Sequence, residues 1–150
     1  IYHNMKRQRT WEIMQMFLFS VNTGLRISDI VTLEWSHINI SKKILKKNMV
    51  KTKEVIEIHL NKSAMDIIKM WKQYGRNNRF VFDLMREDVD FNDRDYVYKK
   101  IASKNRIIQT SLRSIGVKMK LPFSLTFHVA RHTFAVFALR KNQNLYMVSL

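Results

Sequence analysis

The spacing of apolar residues changes twice along this chain, and this change restricts the fold more than any other feature. Toward both ends apolar residues recur every three or four positions, which is typical of amphipathic helices. Between residues 37 and 60 they instead form short runs rich in isoleucine and valine, separated by lysine-rich turns. We therefore predict an α+β fold that is mainly α-helical and contains a small three-stranded antiparallel sheet.

Capping residues indicate where the first elements begin and end. Thr10 is the predicted N-cap of the first helix, and Gly24 its left-handed C-cap. Ser28 is predicted to cap a short second helix that ends at about Trp35. The predicted strands follow at residues 38–40, 44–45 and 55–60.

Helical periodicity returns after the predicted sheet. Further helices are expected at about residues 62–74, 93–115 and 126–141, with Gly75 and Gly116 as stops. The first of these helices should bury a stripe of apolar side chains: Ala64, Ile67, Ile68 and Trp71. Residues 142–144 predict a turn, and the chain from Leu145 predicts the start of another helix.

The composition indicates one domain without covalent cross-links. A chain of 150 residues that is 46% hydrophobic can bury one sizeable core, and no Pro/Gly-rich linker divides it. We therefore predict a single domain over residues 1–150. The absence of cysteine excludes disulfides and thiolate zinc sites. No apolar run approaches the ~20 residues of a membrane span, and no signal-peptide pattern begins the chain, so we expect no membrane partner.

The charge balance predicts a polyanionic partner. The chain has 27 Lys and Arg against 12 Asp and Glu, a formal net charge of +15. From Tyr96 to Leu150 there are ten basic residues and no acidic one, whereas acidic residues cluster between Asp83 and Asp95. Such a one-sided distribution favours nucleic acid as the partner.

Two short motifs carry groups suited to phosphate chemistry. His128, Arg131 and His132 are spaced to share one face of a predicted helix. A guanidinium matches two non-bridging phosphate oxygens, and imidazoles can move protons near neutral pH. The second motif is Thr-Gly-Leu-Arg-Ile-Ser-Asp at residues 23–29, which places Arg26 just past the end of a helix.

This pair of motifs, with a predicted hairpin after the first, resembles the catalytic domain of the tyrosine recombinases, the phage integrase family. The resemblance covers nearly the whole chain and implies the recombinase catalytic fold. It also implies site-specific DNA recombination or integration on double-stranded DNA, through a 3′-phosphotyrosyl intermediate and without a cofactor. The protein would then be cytoplasmic, and associated with the bacterial nucleoid while bound to DNA.

The resemblance also implies roles for individual residues. Arg26 and Arg131 would clamp the scissile phosphate, and His128 would assist proton movement beside them. Lys51, in the predicted hairpin turn, would protonate the departing 5′ oxygen. Lys53 is the alternative for that role and otherwise a DNA-binding residue.

Other parts of the family's machinery are harder to place. His132 is predicted to support its helix and contact DNA. None of the tyrosines matches the context of the family's nucleophile, which we expect beyond Leu150. The chain would thus be a catalytic domain that lacks the nucleophile segment and any N-terminal core-binding domain. We expect it to bind DNA as a monomer without cleaving it alone, whereas the full-length enzyme would form a tetramer on DNA.

Two other functions fit parts of the sequence. A metal-dependent nuclease could use His59, His128 and His132 as ligands, but the last two lack the expected carboxylate partner, and we predict no metal site. A non-catalytic, sequence-specific DNA-binding module would need only basic charge and helix side chains for base readout. Arg26 discriminates between a recombinase and a non-catalytic binding module. A binding module has no need of a phosphate-clamping arginine at a helix corner.

Overall fold

A computed structural model describes the backbone of residues 2–141 and the side chains of residues 7–141. Within this range the chain forms helices at both ends and one antiparallel sheet between them, which confirms the predicted fold class. The helices and strands, in chain order, are α1 (Tyr2–Thr23), α2 (Ile27–Val31), β1 (Ile38–Asn39), β2 (Ile44–Asn48), β3 (Val55–His59), α3 (Lys62–Tyr74), α4 (Arg94–Lys118) and α5 (Phe127–Arg140).

The first helix begins earlier than predicted. It starts at Tyr2, so Thr10 lies in its interior and the predicted cap is wrong. The preceding residues contain no proline or glycine, and lysine, arginine, glutamine and methionine among them favour helix, so nothing stops the helix from extending. The predicted end is confirmed: Gly24 has a φ of +74°. Its N–H donates to the Ser20 carbonyl oxygen at 2.8 Å.

The second helix is shorter than predicted, and it begins at Ile27, one residue before the predicted cap Ser28. The Thr32 hydroxyl donates to the Ser28 carbonyl oxygen at 2.8 Å. The Leu33 N–H bonds the Ile30 carbonyl oxygen, a tighter spacing than that of an α-helix. The helix ends at Val31, next to this tighter spacing, and residues 35–37 form a separate 3₁₀ turn.

The three strands pair in the order β1-β2-β3, antiparallel throughout, which confirms the predicted sheet. Side chains alternate along β2, so that Leu45 and Lys47 are buried while Lys46 and Asn48 are exposed. The turn from β2 to β3 covers residues 49–54. A backbone hydrogen bond of 2.8 Å from Met49 to Glu54 closes it.

The later helices follow the predictions closely, with one exception. Helix α3 has the predicted bounds and buries the predicted stripe. Helix α4 continues past Gly116 to Lys118, so the predicted stop is wrong. Gly116 instead gives Leu125 room to approach the helix. The left-handed residue that ends α4 is Lys120, with a φ of 56°, where the Leu121 N–H returns to the Gly116 carbonyl oxygen.

Contacts divide the chain into two compact units, residues 1–26 with 106–150 and residues 27–105, and α4 contributes to both. In the first unit α1 packs on α5, with the rings of Phe17 and Phe127 edge to face at 6.2 Å. The second unit has a core around Phe80 and Met85. The single domain stays a prediction. The turn and helix predicted from residue 142 lie outside the described residues.

No helix in the described part of the chain is long and apolar enough to cross a membrane.

The Gly24→Ala variant tests the corner after α1. We expect the free energy of unfolding to fall by about 2 kcal/mol, because a left-handed alanine is strained and its Cβ would collide with the Phe134 ring. Urea unfolding followed by circular dichroism measures this loss. In a Phe134→Leu background the same change should cost less, since the ring is gone. An equal cost in both backgrounds would contradict the close packing of this ring on the corner.

Candidate active site

The corner after α1, residues 24–26, is held by buried side chains. The Ser20 hydroxyl donates to the Leu25 carbonyl oxygen at 2.8 Å, and the Leu25 N–H donates to the Thr23 hydroxyl at 3.4 Å. Both hydroxyl residues are buried, as is Leu25. The backbone that leads into Arg26 is therefore set from within the first unit.

Arg131 is bound to the same corner. Its Nε donates to the Gly24 carbonyl oxygen at 3.0 Å, although the two residues are 107 positions apart. One helical turn further along α5, Phe134 covers Gly24. The structure thus joins the two predicted arginine motifs, with Arg131 bonded two residues from Arg26.

One nitrogen of the Arg26 guanidinium is buried and lacks a hydrogen bond within the described part of the chain. Arg26 is half-buried, and its Nη1 is a buried nitrogen without a hydrogen-bond partner in the described part of the chain. A buried donor left unpaired costs about 1–3 kcal/mol, and more when it is charged. An anion with two or more oxygens would remove this cost through charge-assisted hydrogen bonds.

The two histidines lie where the sequence places them on α5. His128 and His132 are both exposed, three residues before and one residue after half-buried Arg131. Helical geometry brings His128 to the same face as Arg131 and His132. Two imidazoles accessible to solvent therefore border the arginine that is bonded to the corner.

The predicted hairpin lysines lie in the second unit. Lys51 and Lys53 are both exposed in the turn at residues 49–54. Lys53 has a φ of 62°, and its N–H donates to the Met49 carbonyl oxygen at 3.0 Å. Both ammonium groups are thus carried on a closed turn, and the preference for Lys51 stays a prediction.

A buried ion pair behind this turn was missed by sequence reasoning. Asp29 is 0% exposed and Lys47 6% exposed, and Lys47 Nζ lies 3.6 Å from Asp29 Oδ1. The same oxygen accepts the Val50 N–H at 2.8 Å. The alternation in β2, with Leu45 inward and Lys46 outward, was the signal that could have revealed an inward lysine.

The pair perturbs its surroundings electrostatically. Burial lowers the pKa of the Lys47 ammonium, and the Asp29 carboxylate opposes this effect. Burial also lowers the pKa of His37, followed by the repulsion of Lys47, while Glu34 acts in the opposite direction. Neutral imidazole suits this position, because His37 Nδ1 accepts the Glu34 N–H at 2.9 Å.

A basic groove forms a second feature of this unit. Its volume is about 390 Å³, and the cationic residues that line it are Arg76, Arg86, Lys100 and Lys104. Two acidic residues, Asp83 and Glu87, also line it, and the Arg86 guanidinium is paired with the Asp88 carboxylate at 2.9 Å. The cationic lining residues still outnumber the acidic ones. The groove suits an anion.

Among the residues that the structure describes, no three histidine or acidic side chains are grouped as ligands for a metal ion.

Replacing His37 by glutamine tests the environment of the buried pair. Because the folded-state pKa of His37 is below 6.5, the unfolded chain binds the proton more readily in the interval up to 6.5. Stability should therefore fall as the pH decreases below 6.5, and this fall should be smaller in His37→Gln. Urea unfolding at pH 7.5 and 5.5 measures both slopes. Equal slopes for the two proteins would contradict the assignment.

Comparison with known proteins agrees with the fold. The integrase of Salmonella phage P22 is 29% identical over 121 residues, which are 78% of this chain and 30% of that protein. The structure of XerA recombinase superposes with a TM-score of 0.61 and 16% identity, over 91% of this chain and 50% of that one. The chain thus spans at most half the length of these relatives.

Nearly the whole chain matches one known protein family. The model described as the phage integrase family matches residues 1–149. The match includes the Arg26 corner, the hairpin turn and helix α5. Because it covers nearly the whole chain, the chain belongs to the phage integrase family.

Proposed function

We propose that this chain is the catalytic domain of a tyrosine recombinase, which breaks and rejoins DNA strands at specific sites. One observation carries the proposal: Nη1 of Arg26, which is buried and has no hydrogen-bond partner among the described residues, lies on a corner to which Arg131 is hydrogen-bonded. Two guanidiniums near one point suit a phosphodiester, whose charge spreads over its non-bridging oxygens during transfer. A binding module would not need such a buried, preorganised donor.

The proposed reaction exchanges one phosphate ester for another. A tyrosine hydroxyl attacks the scissile phosphorus and passes its proton to His128, the bond to the 5′ oxygen breaks, and a 3′-phosphotyrosyl link forms. We assign the attacking oxygen to a tyrosine outside residues 1–150. Arg26 and Arg131 stabilise the charge of the non-bridging oxygens, and His128 beside them holds the tyrosine proton until rejoining.

The departing 5′ oxygen requires a proton, which we assign to the Lys51 ammonium, with Lys53 as the alternative. In rejoining, a 5′ hydroxyl attacks the phosphotyrosyl phosphorus and returns its proton to the lysine, while the tyrosine oxygen leaves and regains its proton from His128. Both lysines are exposed on a closed turn, which supports access to DNA. His132 and the lysine that does not serve as acid are proposed DNA contacts.

Charge supports double-stranded DNA as the partner. The net charge of +15 and the basic groove of the second unit both favour a polyanion. We propose that the full-length protein assembles as a tetramer on DNA in the bacterial cytoplasm, whereas residues 1–150 alone are monomeric. Neither the cleavage step nor the rejoining step of the proposed reaction needs a cofactor.

The Arg26→Ala variant of the full-length protein tests the catalytic role. We expect the rate of strand cleavage to fall by about 10²–10³-fold, as when a charge-stabilising donor is removed from an active site. Affinity for the same DNA should change by less than about tenfold, because one phosphate contact contributes little to a large interface. Recombinant junctions sequenced from cells identify the site, and covalent protein–DNA adducts on denaturing gels measure cleavage.

The matched control is Arg113→Ala, which removes an exposed arginine of α4 and should leave cleavage unchanged. If DNA affinity fell in proportion to cleavage in Arg26→Ala, the residue would be a binding contact. The alternative function, a non-catalytic DNA-binding module, would then be favoured.

The basic groove generates a separate prediction about DNA affinity. Reversing two of its charges, with Lys100→Glu and Lys104→Glu together, should weaken binding to a random-sequence duplex. The slope of log affinity against log salt is negative, and it should become less steep by about 2, one unit for each lost phosphate contact. Fluorescence anisotropy across a salt series measures both quantities.

The control for the groove makes the same charge change elsewhere in the second unit. Lys69→Glu with Lys72→Glu alters two exposed residues of α3 that do not line the groove. Equal losses of affinity in the two double variants would show that net charge alone matters, and the groove would lose its role.

A further inference from the structure

We propose that Lys47 is a positioning residue for the hairpin lysine, acting through Asp29 on the backbone of Val50. This inference rests on the proposed function, because it concerns how Lys51 is brought to the departing oxygen. It assigns a role to a buried strand lysine rather than to another exposed one.

The burial of Lys47 is the first observation. Lysine normally keeps its ammonium in water, yet Lys47, the fourth residue of β2, is 6% exposed. Its Nζ donates to the Asn48 carbonyl oxygen at 3.1 Å and lies 3.6 Å from Asp29 Oδ1. Removing a lysine from water in this way is costly unless a counter-charge and hydrogen bonds compensate for it.

The second observation is that Asp29 depends on this lysine. Asp29 is completely buried, and its Oδ2 has no hydrogen-bond partner among the described residues. Its Oδ1 is the atom that meets both the Lys47 ammonium and the Val50 N–H. Without Lys47, a buried carboxylate would keep one backbone donor and lose its counter-ion, which favours a different side-chain position or entry of water.

The third observation is the place where this chain of contacts ends. Backbone bonds between Met49, Lys53 and Glu54 close the turn, whereas the Val50 N–H is bonded to Asp29. Val50 directly precedes Lys51, whose side chain is exposed. The ion pair therefore sets the backbone from which the proposed acid extends, without touching the DNA itself.

The position of Lys51 matters because proton transfer requires close approach. A displacement of about 1 Å can cost about 10²-fold in rate. Loss of Lys47 should consequently slow protonation of the leaving group while leaving the phosphate clamp of Arg26 and Arg131 intact. This defect differs from that of a misfolded protein.

The test uses Lys47→Met in the full-length protein and two duplexes that carry the recombination site identified from the sequenced junctions. One duplex has the normal bridging 5′ oxygen at the scissile phosphate, and the other has sulfur there. A thiolate departs without being protonated, so the sulfur duplex does not need the general acid. We expect Lys47→Met to cleave the oxygen duplex about 10- to 100-fold more slowly than wild type and the sulfur duplex within about threefold of wild type.

Two further variants calibrate the experiment. Lys46→Met changes the neighbouring lysine on the exposed side of β2, and it should match wild type on both duplexes. Lys51→Ala removes the proposed acid itself, and it should lose about 10²-fold or more on oxygen and recover on sulfur. If Lys51→Ala did not recover on sulfur, the assignment of Lys51 as the acid would be wrong, which is a failure of the proposed function.

Other results would rule out the positioning role of Lys47 while leaving Lys51 as the acid. If Lys51→Ala recovers on sulfur but Lys47→Met is equally slow on both duplexes, Lys47 serves stability alone. Wild-type rates on both duplexes would also overturn the inference. Should Lys47→Met not fold by circular dichroism, Lys47→Gln takes its place, because a neutral polar side chain of similar length also removes the counter-ion of Asp29. The expected and contradicting results are the same for it.

Discussion

The hydrogen bond from Arg131 to the Gly24 carbonyl oxygen is the interaction on which the candidate site depends. It joins the last described helix to the end of the first one. The bond is feasible because Gly24 has a positive φ and lacks a Cβ, so the ring of Phe134 can lie directly on it. One close contact thus orients α5 against the corner and sets where Arg26 leaves it. The chemistry proposed for this chain follows from that geometry.

Buried charge is the second theme of the molecule. In the first unit, Arg26 keeps a buried nitrogen without a partner among the described residues. In the second unit, Asp29 and Lys47 form a buried pair behind the hairpin turn. Each arrangement costs free energy of folding, since charged groups lose hydration. At Arg26 a bound anion would offset this cost. At Asp29 the buried carboxylate instead fixes the backbone of Val50, the residue before Lys51.

The parts of the fold that were predictable have strong local signals. The stripe of α3 and the alternating runs of the sheet follow from periodicity, and Gly24 follows from its position after an apolar helix. The errors arose where two local signals competed. Thr10 can cap a helix, but the residues before it favour helix as well. Gly116 can end a helix, yet here it admits Leu125, and Lys120 adopts the left-handed conformation instead.

The sequence by itself determined the family, the helical face shared by His128 and Arg131, and the exposed turn that carries Lys51. Spacing along one element is enough for such features, because a helix or strand has a known period. Only the tertiary structure decided that Arg131 bonds Gly24, that Lys47 points inward to Asp29, and that Asp29 holds Val50. These contacts join residues on different elements, and no periodicity encodes which buried charges will meet when the elements pack.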